Sequence, residues 1–285
     1  MAGSTTTTLN DLLPEIIQEA MFVASERSIM RGLVKNYTLA PGQGKNVNVP
    51  IYPLQTAAAV TEGDEVTNTA VSTNTAQLTV STVAIRTLLT DLARTSASSN
   101  VVADLGKLFG EAVARKMDSD LTALFAGFAA GYGNYTAVIT PSDIFKAVAT
   151  LKANAVPSEG MVCVLHPEIA YDLKAALTTQ GNTPFTSGAY SEVSNEAMRM
   201  GFVGMLAGIP VYETSNIANN GTAGDIPGAV FHRDAFGLGM IGDIQIETQR
   251  RASFLGDDIV CSAYYGKGIL QNNYGRFLAF DSSLV

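Results

Sequence analysis

Residues 46–85 contain neither lysine nor arginine, yet they read as two strands joined by a long excursion. Residues 40–44, Ala-Pro-Gly-Gln-Gly, form a turn. Val47, Val49 and Ile51 then alternate with Asn46, Asn48 and Pro50, the period-two pattern of a strand. The returning strand is predicted over 77–83, and the turn between them holds three acids, Glu62, Asp64 and Glu65. Nothing in this segment supplies a core, and an isolated two-stranded hairpin is marginal in water. It needs a surface to lie on, and that need constrains the rest of the chain.

The strongest periodic signal follows. Val101, Leu105, Leu108, Ala112, Leu121, Leu124 and Phe128, with Phe109, Val113, Met117 and Phe125 beside them, mark one apolar stripe. Lys107, Glu111, Arg115, Lys116, Asp118 and Asp120 take the other side. A helix is predicted over 100–128, about 40 Å long at ~1.5 Å per residue. Ahead of the hairpin, Pro14 and the apolar positions Leu13, Ile16, Ile17, Ala20, Met21 and Ala24 predict an amphipathic helix behind a Thr-rich tail. Arg27, Arg31 and Lys35 fall four apart and would make one basic stripe if that helix runs past Gly32.

From residue 140 helices and strands alternate. Thr140, Pro141 and Asp143 open a helix predicted to reach Ala153, and His166-Pro167-Glu168 opens another to Leu177. Strands are predicted over 161–165, 209–212, 229–232, 244–250, 259–269 and 277–280, with loops over 178–191 and 215–227. The fold class is α+β, without an internal repeat.

Apolar residues make up 47% of the chain and charged residues 15%, against ~25% charged in ordinary globular chains. That excludes a disordered chain and implies either a Thr/Ser/Asn/Gly-rich surface or surface hidden against partners. The formal net charge of −8, without a block of basic residues, excludes a sequence-reading DNA-binding domain. Cys163 and Cys261 sit in apolar, strand-like runs, which suits buried thiols in a reducing compartment rather than a disulfide framework. No signal-peptide pattern and no bilayer-length apolar run of ~20 residues is present. The expectation is a soluble protein, intracellular when made, with no membrane partner.

Motifs for chemistry are sparse. Gly237-Leu-Gly239-Met-Ile-Gly242, with Asp257 downstream, matches the dinucleotide fingerprint. That fingerprint works only where a helix N-terminus follows, and here the next segment alternates like a strand. His232-Arg233-Asp234 copies a kinase triplet without its partner motifs. His166 and His232 are the sole histidines and form no zinc-site pattern. Asp257 and Asp258 are adjacent, so a strand points them to opposite faces rather than pairing them for acid–base work. The expectation is no catalytic residue, no metal and no cofactor. A nucleotide-dependent enzyme built on 237–242 is the reading from a different class.

Five further stretches, in order, carry a resemblance: Leu-Leu-Pro-Glu-Ile-Ile-Gln-Glu-Ala (12–20) with the arm's ending Ser-Ile-Met-Arg-Gly-Leu-Val (28–34), Val-Leu-His-Pro-Glu (164–168), Leu-Ala-Gly-Ile-Pro-Val-Tyr (206–212) and Val-Phe-His-Arg-Asp-Ala-Phe (230–236). With the hairpin and the long helix, the chain resembles the major capsid protein of tailed bacteriophages, the Hong Kong 97-type fold, over essentially its whole length. The resemblance implies an N-arm (1–36) and an extended loop with its base (37–92). It implies a peripheral domain with a spine helix (93–135 and 236–268) and an axial α/β domain (136–235 and 269–285).

The function it implies is structural: self-assembly into pentamers and hexamers of an icosahedral head that encloses double-stranded DNA without sequence-specific binding. Partners would be further copies of the chain, a portal protein, a separate scaffolding protein and decoration proteins. The location would be the virion, after assembly in the bacterial host cytoplasm. An encapsulin-type bacterial shell is the alternative on the same fold. Some family members crosslink a loop lysine to a neighbour; here only Lys45 stands at the loop's base, so no crosslink is expected. The expected inter-subunit contact is the acidic turn of Glu62, Asp64 and Glu65 over a neighbour's Arg115 and Lys116 or Arg250 and Arg251.

Overall fold

The computed structural model describes residues 28–40, 42, 44–52, 55, 57, 59–63, 65–66, 70–96, 101–179, 204–222 and 224–284. The helix predicted near residues 13–24, the loop at 180–191, Arg27 and Asp64 lie outside them. In chain order the elements begin with helix α1 (Ile29–Leu33) and strands β1 (Lys35–Leu39), β2 (Asn46–Ile51), β3 (Asn74–Thr79) and β4 (Ser81–Thr90). Helices α2 (Asp91–Ser96) and α3 (Val101–Thr122) follow, then β5 (Gly131–Gly133), α4 (Pro141–Ala153), β6 (Met161–Leu165) and α5 (Pro167–Thr179). The remainder is strands: β7 (Met205–Leu206), β8 (Ile209–Glu213), β9 (Asp225–His232), β10 (Phe236–Ile241), β11 (Gln245–Arg251), β12 (Gly256–Ile269) and β13 (Gly275–Asp281).

The first sheet is organised by β12. It pairs with β4 along one edge, from Gly256 opposite Thr90 to Tyr265 opposite Ser81. Along its other edge β11 and β10 follow end to end, and β1 adds in parallel to β10. Alternation decides what each face meets. Ile259, Cys261, Ala263 and Tyr265 are buried, and Tyr265 donates a 2.8 Å hydrogen bond to Asp120 of α3. The long helix therefore covers this face, and the even-numbered residues of β12 point the other way.

The second sheet runs β5-β13-β9-β6-β8-β7. Its β6, Met-Val-Cys-Val-Leu, is buried along its whole length, as an apolar run in a covered sheet should be. Helix α4 starts from a reciprocal capping box between Thr140 and Asp143, with Pro141 in its first turn, and buries Ile144, Ala147, Val148 and Leu151. Gly131–Gly133 already pairs with β13, so this sheet begins before residue 136, where the sequence reading starts the axial part.

Three expectations are corrected. The long helix stops at Thr122 rather than Phe128, and a single 3-10 turn (Phe125–Gly127) follows. The apolar spacing continues because Phe125 and Phe128 join an aromatic cluster with Phe231 of β9 and Phe236 of β10, with ring centroids 4.9–5.9 Å apart. The strand predicted over 77–83 is two strands: β3 pairs with β2 and β4 with β12, and the chain changes partner at buried Val80. Helix α1 ends at Leu33, so Lys35 lies on a strand opposite Gly237 and forms no helical stripe with Arg31.

Candidate assembly surface

The hairpin β2–β3 is a sheet of its own, from Asn46 opposite Thr79 to Ile51 opposite Asn74. Its root is fixed: Leu78 is 1% exposed and Val80 9%, and Val80 donates its amide to Lys45 at 2.8 Å. Beyond the root the character reverses. Tyr52, Val60, Val66 and Val71 are 68, 47, 73 and 57% exposed, a series of apolar side chains left in water along one excursion. Glu62 and Glu65 are exposed beside them.

The candidate cations are not equally available. Arg250 forks onto Asp91 with contacts of 2.7 and 2.6 Å and also reaches Asp257 at 3.5 Å. The Arg250 guanidinium holds the Asp91 carboxyl below its ordinary range, and Asp91 in turn raises Arg250. Arg251 binds Asp258 at 2.8 Å. Both arginines are thus already paired within their own chain. Lys116 pairs with Asp120 at 3.0 Å along α3, while Arg115 is exposed on the same helix. Lys35 pairs with Asp234 at 3.0 Å, and that partner raises its pKa; Arg31 sits half-buried in α1.

Asp257 and Asp258 do face opposite ways. Asp257 meets Arg250 and Arg94, whereas Asp258, nearly buried, is held by Arg86 at 2.7 and 2.8 Å and by Arg251. The Asp258 cluster lies on the face away from α3, in a shallow groove with Glu247, Thr248, Gln249 and Val260. Register explains it: Asp258 stands opposite Leu88 and Gln249, so Arg86 and Arg251 are its diagonal same-face neighbours. Arg86 escapes notice in the sequence, since nothing local marks it: its partner is 172 positions away.

Asp118 was also missed. It is buried in α3, and it accepts hydrogen bonds from the Ser28 hydroxyl (2.7 Å) and the amides of Ile29 (3.2 Å) and Met30 (3.3 Å). It caps α1 and fastens the start of the described chain to the long helix. The signal was available: one acid among the polar positions of α3 sits beside Met117 and Leu121, close to its apolar stripe.

The glycine fingerprint is not a nucleotide site. Gly237 and Gly239 lie on β10, and the next element is strand β11 rather than the helix that the fingerprint requires. His232 has both ring nitrogens engaged, one with Glu159 O (2.8 Å) and one accepting from the Asp234 amide (3.1 Å). Among the described residues no group of His, Cys, Asp and Glu could hold a metal ion, and no helix is long and apolar enough to cross a membrane. Cys163 and Cys261 are free and buried, on different sheets. Burial pushes the Cys261 thiol up to about 11 and raises Cys163 further.

The profile of the phage capsid family matches residues 7–267. Among solved structures, the capsid of cyanophage P-SCSP1u is 20% identical with a TM-score of 0.66, covering 90% of this chain and 89% of that one. Mycobacterium phage Che8 is 20% identical with a TM-score of 0.68, covering 88% and 90%. A virus-like particle from Pyrococcus furiosus is 9% identical with a TM-score of 0.62, covering 93% and 98%. No curated protein is significantly similar in sequence.

Proposed function

The chain belongs to the phage capsid family and is a structural protein of a virion shell; on that premise we propose that it forms the pentamers and hexamers of an icosahedral head around double-stranded DNA. The observation that carries this reading is the hairpin. Its root is buried, yet Tyr52, Val60, Val66 and Val71 stand exposed on a stretch without a single basic residue. A neighbouring copy that covers these side chains supplies the surface the hairpin lacks, and repetition of that contact by symmetry closes a shell.

In this reading residues 1–36 are an arm and 37–92 the extended loop. Residues 93–135 with 236–268 form the peripheral part, and 136–235 with 269–285 the axial part; the two separate sheets support the division, except that Gly131–Gly133 already pairs within the axial sheet. The acidic turn docks on a neighbour's Arg115, with Lys116 beside it. Assembly takes place in the host cytoplasm, with a portal protein, a separate scaffolding protein and decoration proteins as further partners. The net charge of −8 fits a wall that encloses DNA without gripping it.

The test is size-exclusion chromatography and negative-stain microscopy of the chain expressed alone, followed by nuclease treatment of any particle. Closed shells or capsomer rings support the reading. Particles whose contents are enzyme cargo would assign it instead to an encapsulin-type shell.

A further inference from the structure

Four glycines make a bare patch on the first sheet. In the β10–β12 pairing Gly237 stands directly opposite Gly268, and Gly239 directly opposite Gly266. By alternation all four share the face away from α3. None of them has a positive φ, so backbone conformation does not require glycine here. Close approach does.

The hairpin root lies on this patch. A Cβ on Gly266 would stand 2.5 Å from the Thr79 carbonyl oxygen and 2.9 Å from the Val80 nitrogen. On Gly268 it would meet Leu78 Cδ2 at 2.7 Å, on Gly237 Leu78 Cδ1 at 2.9 Å, and on Gly239 Val47 Cγ2 at 3.1 Å. Leu78 is the one buried residue of β3. Among the described residues no backbone ladder joins β2 or β3 to the first sheet. Contact with the glycine patch, and the short link through Val80 into β4, are what orient the hairpin.

We propose that this glycine patch is a seat that sets the height and pitch at which the hairpin leaves the body, and so where its acidic turn arrives on a second copy. The second half rests on the reading that the hairpin engages a neighbour. The first half is a property of the single subunit. Bulk at Gly266 meets backbone and must lift the root. Bulk at Gly268 meets only a side-chain tip, so shortening Leu78 relieves it.

The test measures the distance between spin labels at Val71→Cys and Asp104→Cys in the unassembled full chain; the buried native thiols stay unlabelled. Gly266→Ala is expected to displace the distance distribution, and so is Gly268→Ala, while Gly268→Ala with Leu78→Val returns it to the wild-type position. Gly32→Ala, where a Cβ meets nothing within 4 Å, leaves it unchanged. If Gly266→Ala does not fold, the Gly268/Leu78 comparison decides alone. Distributions for Gly266→Ala and Gly268→Ala that superimpose on wild type overturn the seat. Shell assembly that survives deletion of residues 53–70 overturns the docking reading instead, without moving these distances.

Discussion

Asp118 accepts a 2.7 Å hydrogen bond from Ser28, ninety positions earlier in the chain. The bond is buried, and the same carboxylate takes the amides of Ile29 and Met30. Asp118→Ala leaves three donors without their acceptor, each unsatisfied buried group costing ~1–3 kcal/mol. The expected loss is about 2–4 kcal/mol in urea unfolding of the unassembled subunit. Asp118→Asn, which keeps one acceptor oxygen, should lose less.

The pH dependence separates two kinds of carboxyl. Burial opposes ionisation of Asp120, but hydrogen bonds from Lys267, Lys116 and Tyr265 outweigh it and hold its pKa below the ordinary 3.8. The folded state therefore binds that proton less readily than the unfolded one. Its contribution is present above pH 3.8 and is lost as pH falls through the lowered value. Asp118 has the opposite sign, because burial raises its pKa despite the Ser28, Ile29 and Met30 hydrogen bonds. Its contribution falls as pH rises from 3.8 to the raised value. Acid titration of Asp120→Asn should flatten the slope below pH 3.8, and Asp118→Asn the slope above it.

Arg86 and Arg251 hold the buried carboxylate of Asp258 from two strands. Arg86→Met or Arg251→Met should each destabilise the unassembled subunit by ~1–2 kcal/mol, less than the ~3–5 kcal/mol of a fully buried pair, since both arginines are partly exposed. Unfolding of the single subunit checks this. An effect seen only in assembled particles would contradict the intrachain role.

Glu62→Gln, Asp64→Asn and Glu65→Gln together should lower the salt concentration at which particles dissociate, and Arg115→Gln should do the same. One exposed pair contributes only ~0–1 kcal/mol, but every subunit of a closed shell repeats it. An unchanged dissociation midpoint in both variants would remove the electrostatic contact.

Thiol and gel chemistry give a further check. Cys163 and Cys261 should react with a thiol reagent only after unfolding, since burial raises both pKa values and only thiolate reacts. Mature particles boiled in detergent should run as one band near 30.0 kDa, because the loop's one lysine, Lys45, lies at its base. A ladder of multiples would show covalent crosslinks.

Much of the architecture was legible because it is local. Alternation marked β2 and β11, and the Thr140–Pro141–Asp143 pattern placed the start of α4. What was not legible depends on register between distant segments. Apolar spacing from Leu121 to Phe128 looks helical whether those residues stay on a helix or turn into an aromatic cluster. Arg250 and Arg251 looked free because Asp91, Asp257 and Asp258 become their partners only once β11 and β12 pair. The glycines at 237 and 239 resembled a phosphate loop because sequence shows missing side chains, and not the Leu78 and Val47 that fill the space.

The most direct test of the account is the mass of the species formed by the chain expressed alone, measured by sedimentation beside a variant lacking residues 53–70. The account predicts shells or capsomers for the intact chain and, for the shortened one, folded single subunits lighter than the 30.0 kDa of the intact chain. Equal assembly of the two would contradict it.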